Sequence, residues 1–78
     1  MTNIELIEDY KKRLEHYKKM INEYKEMIFD NNLKMENDTK YYLESNKRIR
    51  KTILEIKEEM KRIKEIIKIL KAKKWKET

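Results

Sequence analysis

The chain has 78 residues, enough for one small domain with a limited core. It contains no Cys, Gly or Pro, so disulfides, thiolate metal sites and glycine-rich phosphate loops are excluded, and no residue breaks a helix by its covalent geometry. Charged residues make up 46% of the chain and the net charge is +6, a composition typical of coiled coils and long amphipathic helices.

The first predicted element is a helix from about residue 3 to about residue 30. Thr2 is a suitable N-cap, and Glu5 three residues later completes a capping box. Core residues then follow in alternating steps of three and four, which predicts a coiled-coil seam. The members of this seam are Ile7, Tyr10, Leu14, Tyr17, Ile21, Tyr24 and Ile28.

A polar cluster interrupts the seam and predicts a turn over about residues 31–38. It contains Asn31, Asn32, Asn37 and Asp38. Asn and Asp favour turns and accept left-handed backbone conformations, so they can replace the absent Gly at a helix end. We expect Asp38 or Thr39 to cap a second helix.

The second predicted helix runs from about residue 39 to about residue 75 and carries its own seam. The seam consists of Tyr42, Asn46, Ile49, Ile53, Ile56, Met60, Ile63, Ile67 and Leu70. Asn46 is its clearest polar defect. Such a residue can specify the register of a coiled coil at a cost in stability, or it can simply be solvated near a helix end.

Folding the chain at the polar cluster pairs the two seams in seven layers, from Ile28 with Tyr42 to Ile7 with Ile63. The predicted fold is therefore an all-α, two-helix antiparallel coiled-coil hairpin within a single domain, residues 1–78. We expect it to self-associate into a helical bundle.

One continuous helix that dimerises in parallel is the alternative architecture. An apolar residue at every seventh position from Ile7 to Leu70 favours it. The polar residues Asn31 and Asp38 at core positions count against it.

The predicted pairing leaves the C-terminal end of the second helix without an intrachain partner. Exposed aliphatic side chains and a Trp beside Lys are unusual at a solvated helix end, so this overhang is the predicted protein-binding site. Its residues are Ile69, Leu70, Lys73, Lys74 and Trp75.

The helical periodicity also predicts two different edges along the seam. One edge is basic and comprises Lys47, Arg50, Lys57, Lys61, Lys64, Lys68 and Lys71 of the second helix, with Lys11, Lys18 and Lys25 of the first. The other edge is largely apolar and is the predicted self-association surface. Its residues are Leu6, Met20, Met27 and Ile66.

No catalytic, metal or cofactor site is expected, because the only His, His16, stands apart from convergent ligands and a two-helix rod encloses no pocket. The predicted function is a small cytoplasmic protein-interaction module, such as a phage or mobile-element inhibitor or adaptor acting on a larger machine. The alternative is sequence-nonspecific binding of nucleic acid through the basic edge. A membrane partner is the least favoured.

Overall fold

The protein forms an antiparallel pair of helices in a computed structural model that describes residues 2–76, with side chains for residues 2–73. Helix α1 spans Asn3–Lys34 and helix α2 spans Thr39–Lys76. The Cα atoms extend over 62 × 15 × 14 Å. The predicted all-α hairpin is confirmed, and the single continuous helix is wrong.

Side-chain caps begin both helices. The backbone N–H of Glu5 donates a hydrogen bond of 3.2 Å to Oγ1 of Thr2. The N–H of Tyr41 donates one of 3.2 Å to Oδ1 of Asp38, which identifies Asp38 as the cap of α2. These bonds satisfy N–H groups that have no partner within the first turn of a helix.

The turn is shorter than the sequence predicts. Helix α1 continues to Lys34, past its predicted end near residue 30, so only residues 35–38 connect the helices. Met35 ends α1 in the right-handed region, with φ −58° and ψ −29°. No residue in the described range has a positive φ, so the turn does not use the left-handed conformation that Asn and Asp tolerate. The chain turns instead through a bond of 3.1 Å from Asn37 N–H to the Lys34 carbonyl.

Most of the core lies on α2. The buried residues of the first cluster are Ile21, Ile49, Ile53, Ile56 and Met60, and those of the second are Ile7, Ile63 and Ile67. The half-buried Tyr10, Tyr17 and Tyr24 pack against these clusters from α1. Two helices cannot enclose a seam on all sides, and Tyr suits such a partly open interior because its hydroxyl can reach water.

Near the turn, the core contains a layer of polar side chains. Asn46 is only 1% exposed. Its Oδ1 accepts a bond of 2.9 Å from Nδ2 of Asn31, and its Nδ2 donates one of 3.0 Å to Oδ1 of Asn32. Nδ2 of Asn31 also donates to Oγ of Ser45 at 3.1 Å. Both polar groups of the buried Asn46 amide are thus satisfied, as burial requires.

This polar layer shows that the predicted register is wrong by one heptad. The predicted pairing placed Tyr24 opposite Asn46, but Asn31, seven residues further along α1, occupies that place. A buried amide needs both an acceptor and a donor. The Asn31 and Asn32 amides supply both in the observed geometry, and the displaced register would leave them without this partner.

The shifted register also covers one residue of the predicted overhang. Leu70 is half-buried and packs against the cluster of Ile7, Ile63 and Ile67, so the expectation that it lacks an intrachain partner is wrong. Ile69, which is 57% exposed, and Lys73 do remain exposed. The side chains of Lys74 and Trp75 lie outside the described residues.

Candidate functional site

All ten residues predicted to form the basic edge are exposed. The edge is defined by Lys11, Lys18 and Lys25 of α1 together with Lys47, Arg50, Lys57, Lys61, Lys64, Lys68 and Lys71 of α2. Residues seven apart recur on one side of a helix that packs in a coiled coil. Edge membership therefore depends on each helix alone, and the register change does not alter it.

The observed register does set which cations face each other across the seam. With Asn31 opposite Asn46, successive rungs of the basic edge pair Lys25 with Arg50, Lys18 with Lys57, and Lys11 with Lys64. At a rise of 1.5 Å per residue, the rungs repeat about every 10.5 Å. Like charges thus adjoin along the rod, and an external anion would relieve their repulsion.

The ion pairs of the described residues lie away from the basic edge. Arg13 pairs with Asp9 at 3.5 Å, and Arg62 pairs with Glu59 at 3.7 Å. Among residues 2–73, no cation of the basic edge comes within ion-pair distance of a carboxylate. Glu8 and Glu15 border Lys11 and Lys18 on α1 without pairing with them, and the cations of the edge remain in excess.

The opposite edge is more charged than predicted. The register places Ile66 beside Arg13 and places Met20 beside Glu59, so its apolar residues do not form a continuous strip. Met27 is 49% exposed and Ile66 is 37% exposed, whereas Met20 is half-buried against the core. Leu6 is also half-buried. We call this surface the mixed edge, defined by Leu6, Arg13, Met20, Glu23, Met27, Glu55, Glu59, Arg62 and Ile66.

An apolar patch near the turn escaped the sequence prediction. Phe29 and Leu33, four residues apart on α1, are 63% and 69% exposed. Leu43 of α2 lies at about the same level of the rod and is 51% exposed. The sequence does contain these three large apolar residues outside the seam positions. They were not recognised as a patch because helix α1 was predicted to end near residue 30.

His16 lies in a shallow, open groove on the outer surface of α1. The groove is lined by Asp9, Lys12, Arg13, His16 and Tyr17. In the described part of the chain, no group of three or more His, Asp or Glu side chains could hold a metal ion. The groove thus brings together one imidazole, one carboxylate and two cations.

Comparisons with protein-family models, curated proteins and solved structures find no match to this chain. Neither helix, as far as the structure describes it, contains an apolar stretch long enough to cross a membrane.

Proposed function

We propose that the protein is a non-enzymatic binding protein whose basic edge binds the phosphate backbone of nucleic acid. The observation that supports this most is the row of exposed cations contributed by both helices, with the described ion pairs placed on other surfaces. Phosphate neutralisation by Lys and Arg releases counterions and provides most of the affinity in nonspecific binding.

The composition of the edge favours binding without sequence readout. From Lys57 to Lys71 the edge contains only Lys, with no aromatic side chain to stack on a base and no amide to read one. The straight rod also presents its cations at a regular repeat, which suits the regular backbone of a duplex. A double-stranded ligand is therefore the proposed target.

The test compares two triple variants of equal net charge. Replacing Lys57, Lys61 and Lys64 with Gln should weaken binding to a duplex of about 20 base pairs, which at roughly 3.4 Å per pair covers the 62 Å rod. The plot of log affinity against log salt should become less steep by about three units of slope, one for each lost phosphate contact. Fluorescence anisotropy over a salt series measures both quantities.

The matched control replaces Lys12, Lys19 and Lys51 with Gln. These three residues are exposed on the outer faces of the helices. Its affinity and salt slope should stay close to those of the wild type. Equal losses in the two variants would indicate attraction to net charge alone. Absence of wild-type binding to either DNA or RNA duplexes at about 50 mM salt would rule out the proposal.

Protein interaction, as an inhibitor or adaptor, is the second candidate function, and the apolar patch of Phe29, Leu33 and Leu43 is the observation that favours it. Exposed aromatic and aliphatic side chains that adjoin one another often mark a protein interface. A photo-crosslinking residue at Leu33 should label a discrete host protein, and Phe29→Ser should prevent labelling. Labelling that survives this substitution would argue against the patch.

A further inference from the structure

Four of the five charged residues of the mixed edge form two groups along the rod, and the fifth, Glu59, lies between the groups and pairs with Arg62 at 3.7 Å. Glu23 of α1 and Glu55 of α2 lie at one level, nearer the turn, and Arg13 of α1 and Arg62 of α2 lie at another, nearer the free end. The observed register brings these residues together in this way, because Asn31 faces Asn46. The edge therefore carries an acidic level and a basic level about nine residues, or roughly 13 Å, apart.

Exposed apolar side chains lie just outside these two levels. Met27 lies beyond the acidic level, and Ile66 lies beyond the basic level. Three midpoints fall near Lys18 and Lys19 of α1. They are the point halfway between Met27 and Ile66, the point halfway between the acidic and basic levels, and the middle of helix Asn3–Lys34. The three midpoints thus coincide within about one residue.

We propose that the mixed edge binds a second copy of this chain about a two-fold axis through that centre, with the two rods antiparallel. The axis places Glu23 and Glu55 of each copy against Arg13 and Arg62 of the other. It also brings Met27 of each copy to the level of Ile66 of the other, on the diagonal of the bundle. Met20 and Glu59 of both copies lie close to the axis, where Glu59 is paired with Arg62 of its own helix. The product is a four-helix bundle with a basic edge on each outer side.

Charge selects this arrangement over a parallel one. In a parallel dimer α1 of each copy would pack against α2 of the other at the same level, so Glu23 would face Glu55 and Arg13 would face Arg62. The intrahelical pairs of Arg13 with Asp9 and Arg62 with Glu59 do not prevent the new contacts. Their side chains are 46–73% exposed, and such pairs exchange readily.

Two charge-reversed variants test the proposal, and all four of their sites are exposed, so the hairpin should still fold. One carries Glu23→Lys and Glu55→Lys, and the other carries Arg13→Glu and Arg62→Glu. Each variant repels its own copy at both contacts and should sediment as a monomer under conditions where the wild type is a dimer. Mixing the two restores opposite charges at both contacts, so the mixture should form a heterodimer. Glu26→Lys with Glu58→Lys, on the outer faces, is the control and should remain a homodimer.

A crosslink distinguishes the antiparallel dimer from every arrangement within one hairpin. Met27 lies about 16 residues along the rod from Ile66, or roughly 24 Å, so Cys at both positions cannot join within a chain. Met27→Cys, Ile66→Cys protein treated with a short bismaleimide should form a covalent dimer, because the two positions lie at one level in opposite copies. A monomeric wild type at high concentration, or two like-charged variants that fail to associate when mixed, would overturn the proposal. Neither result depends on nucleic-acid binding.

Discussion

The two ends of the hairpin core are built differently. At the turn end, Asn46 is buried among Asn31, Asn32 and Ser45 and makes directional hydrogen bonds. At the free end, Ile7 packs with aliphatic residues of α2, and Ile63 is only 3% exposed.

This difference separates the contacts that stabilise the hairpin from those that fix the register of its two helices. Apolar contacts are non-directional, so the free end would pack nearly as well after a slide of one heptad. Hydrogen bonds require particular partners, so the polar layer does not tolerate that slide. The apolar free end thus contributes to stability without fixing the register, and the polar layer at the turn end selects the register.

The largest expected loss of stability comes from a substitution at the free end. Ile63→Ala removes a nearly inaccessible side chain and should lower the free energy of unfolding by roughly 2–5 kcal/mol. Urea denaturation followed by circular dichroism measures the loss, which could unfold so small a domain altogether. A loss below about 1 kcal/mol would contradict the assignment of stability to this end.

A smaller loss is expected at the turn end. Asn46→Ala removes the central amide and should cost roughly 1–3 kcal/mol, because the Asn31 and Asn32 amides lose their buried partner. We also expect this variant to populate a second register. A disulfide between Cys introduced at Leu14 and Ile63 should report the native register. A disulfide between Cys introduced at Leu14 and Ile56 should report the register displaced by one heptad. A variant that forms only the Leu14–Ile63 crosslink would show that the polar layer does not select the register.

The smallest effect concerns the end of α2, where the two candidate registers differ most. Leu70→Ala should cost about 1 kcal/mol, because Leu70 is half-buried against the Ile7 cluster. Ile69→Ala, the matched control at an exposed neighbour, should change stability by less than about 0.5 kcal/mol. Equal, negligible effects in thermal denaturation would instead support the uncovered overhang.

The sequence predicts which residues form the basic edge, but it does not predict which residues of the other helix they face. The seven-residue repeat of each helix assigns every Lys of the basic edge to one side of that helix, and all of these side chains are exposed. The pairing of Lys25 with Arg50 and the cover over Leu70 both depend on how the helices slide past each other. A heptad repeat is unchanged by a slide of seven residues, so the apolar pattern could not decide between the two registers.

The amino-acid sequence by itself determined two amphipathic helices, the cap at Thr2, a second cap at Asp38 or Thr39, the faces that pack, and the edge that is basic. These features arise from local periodicity and local hydrogen bonds, which need no knowledge of a distant residue. Only the tertiary structure decided the register, because that choice depends on whether the Asn46 amide meets Asn31 and Asn32 or Tyr24. The same choice placed Glu23 level with Glu55 and Arg13 level with Arg62, and so created the mixed edge.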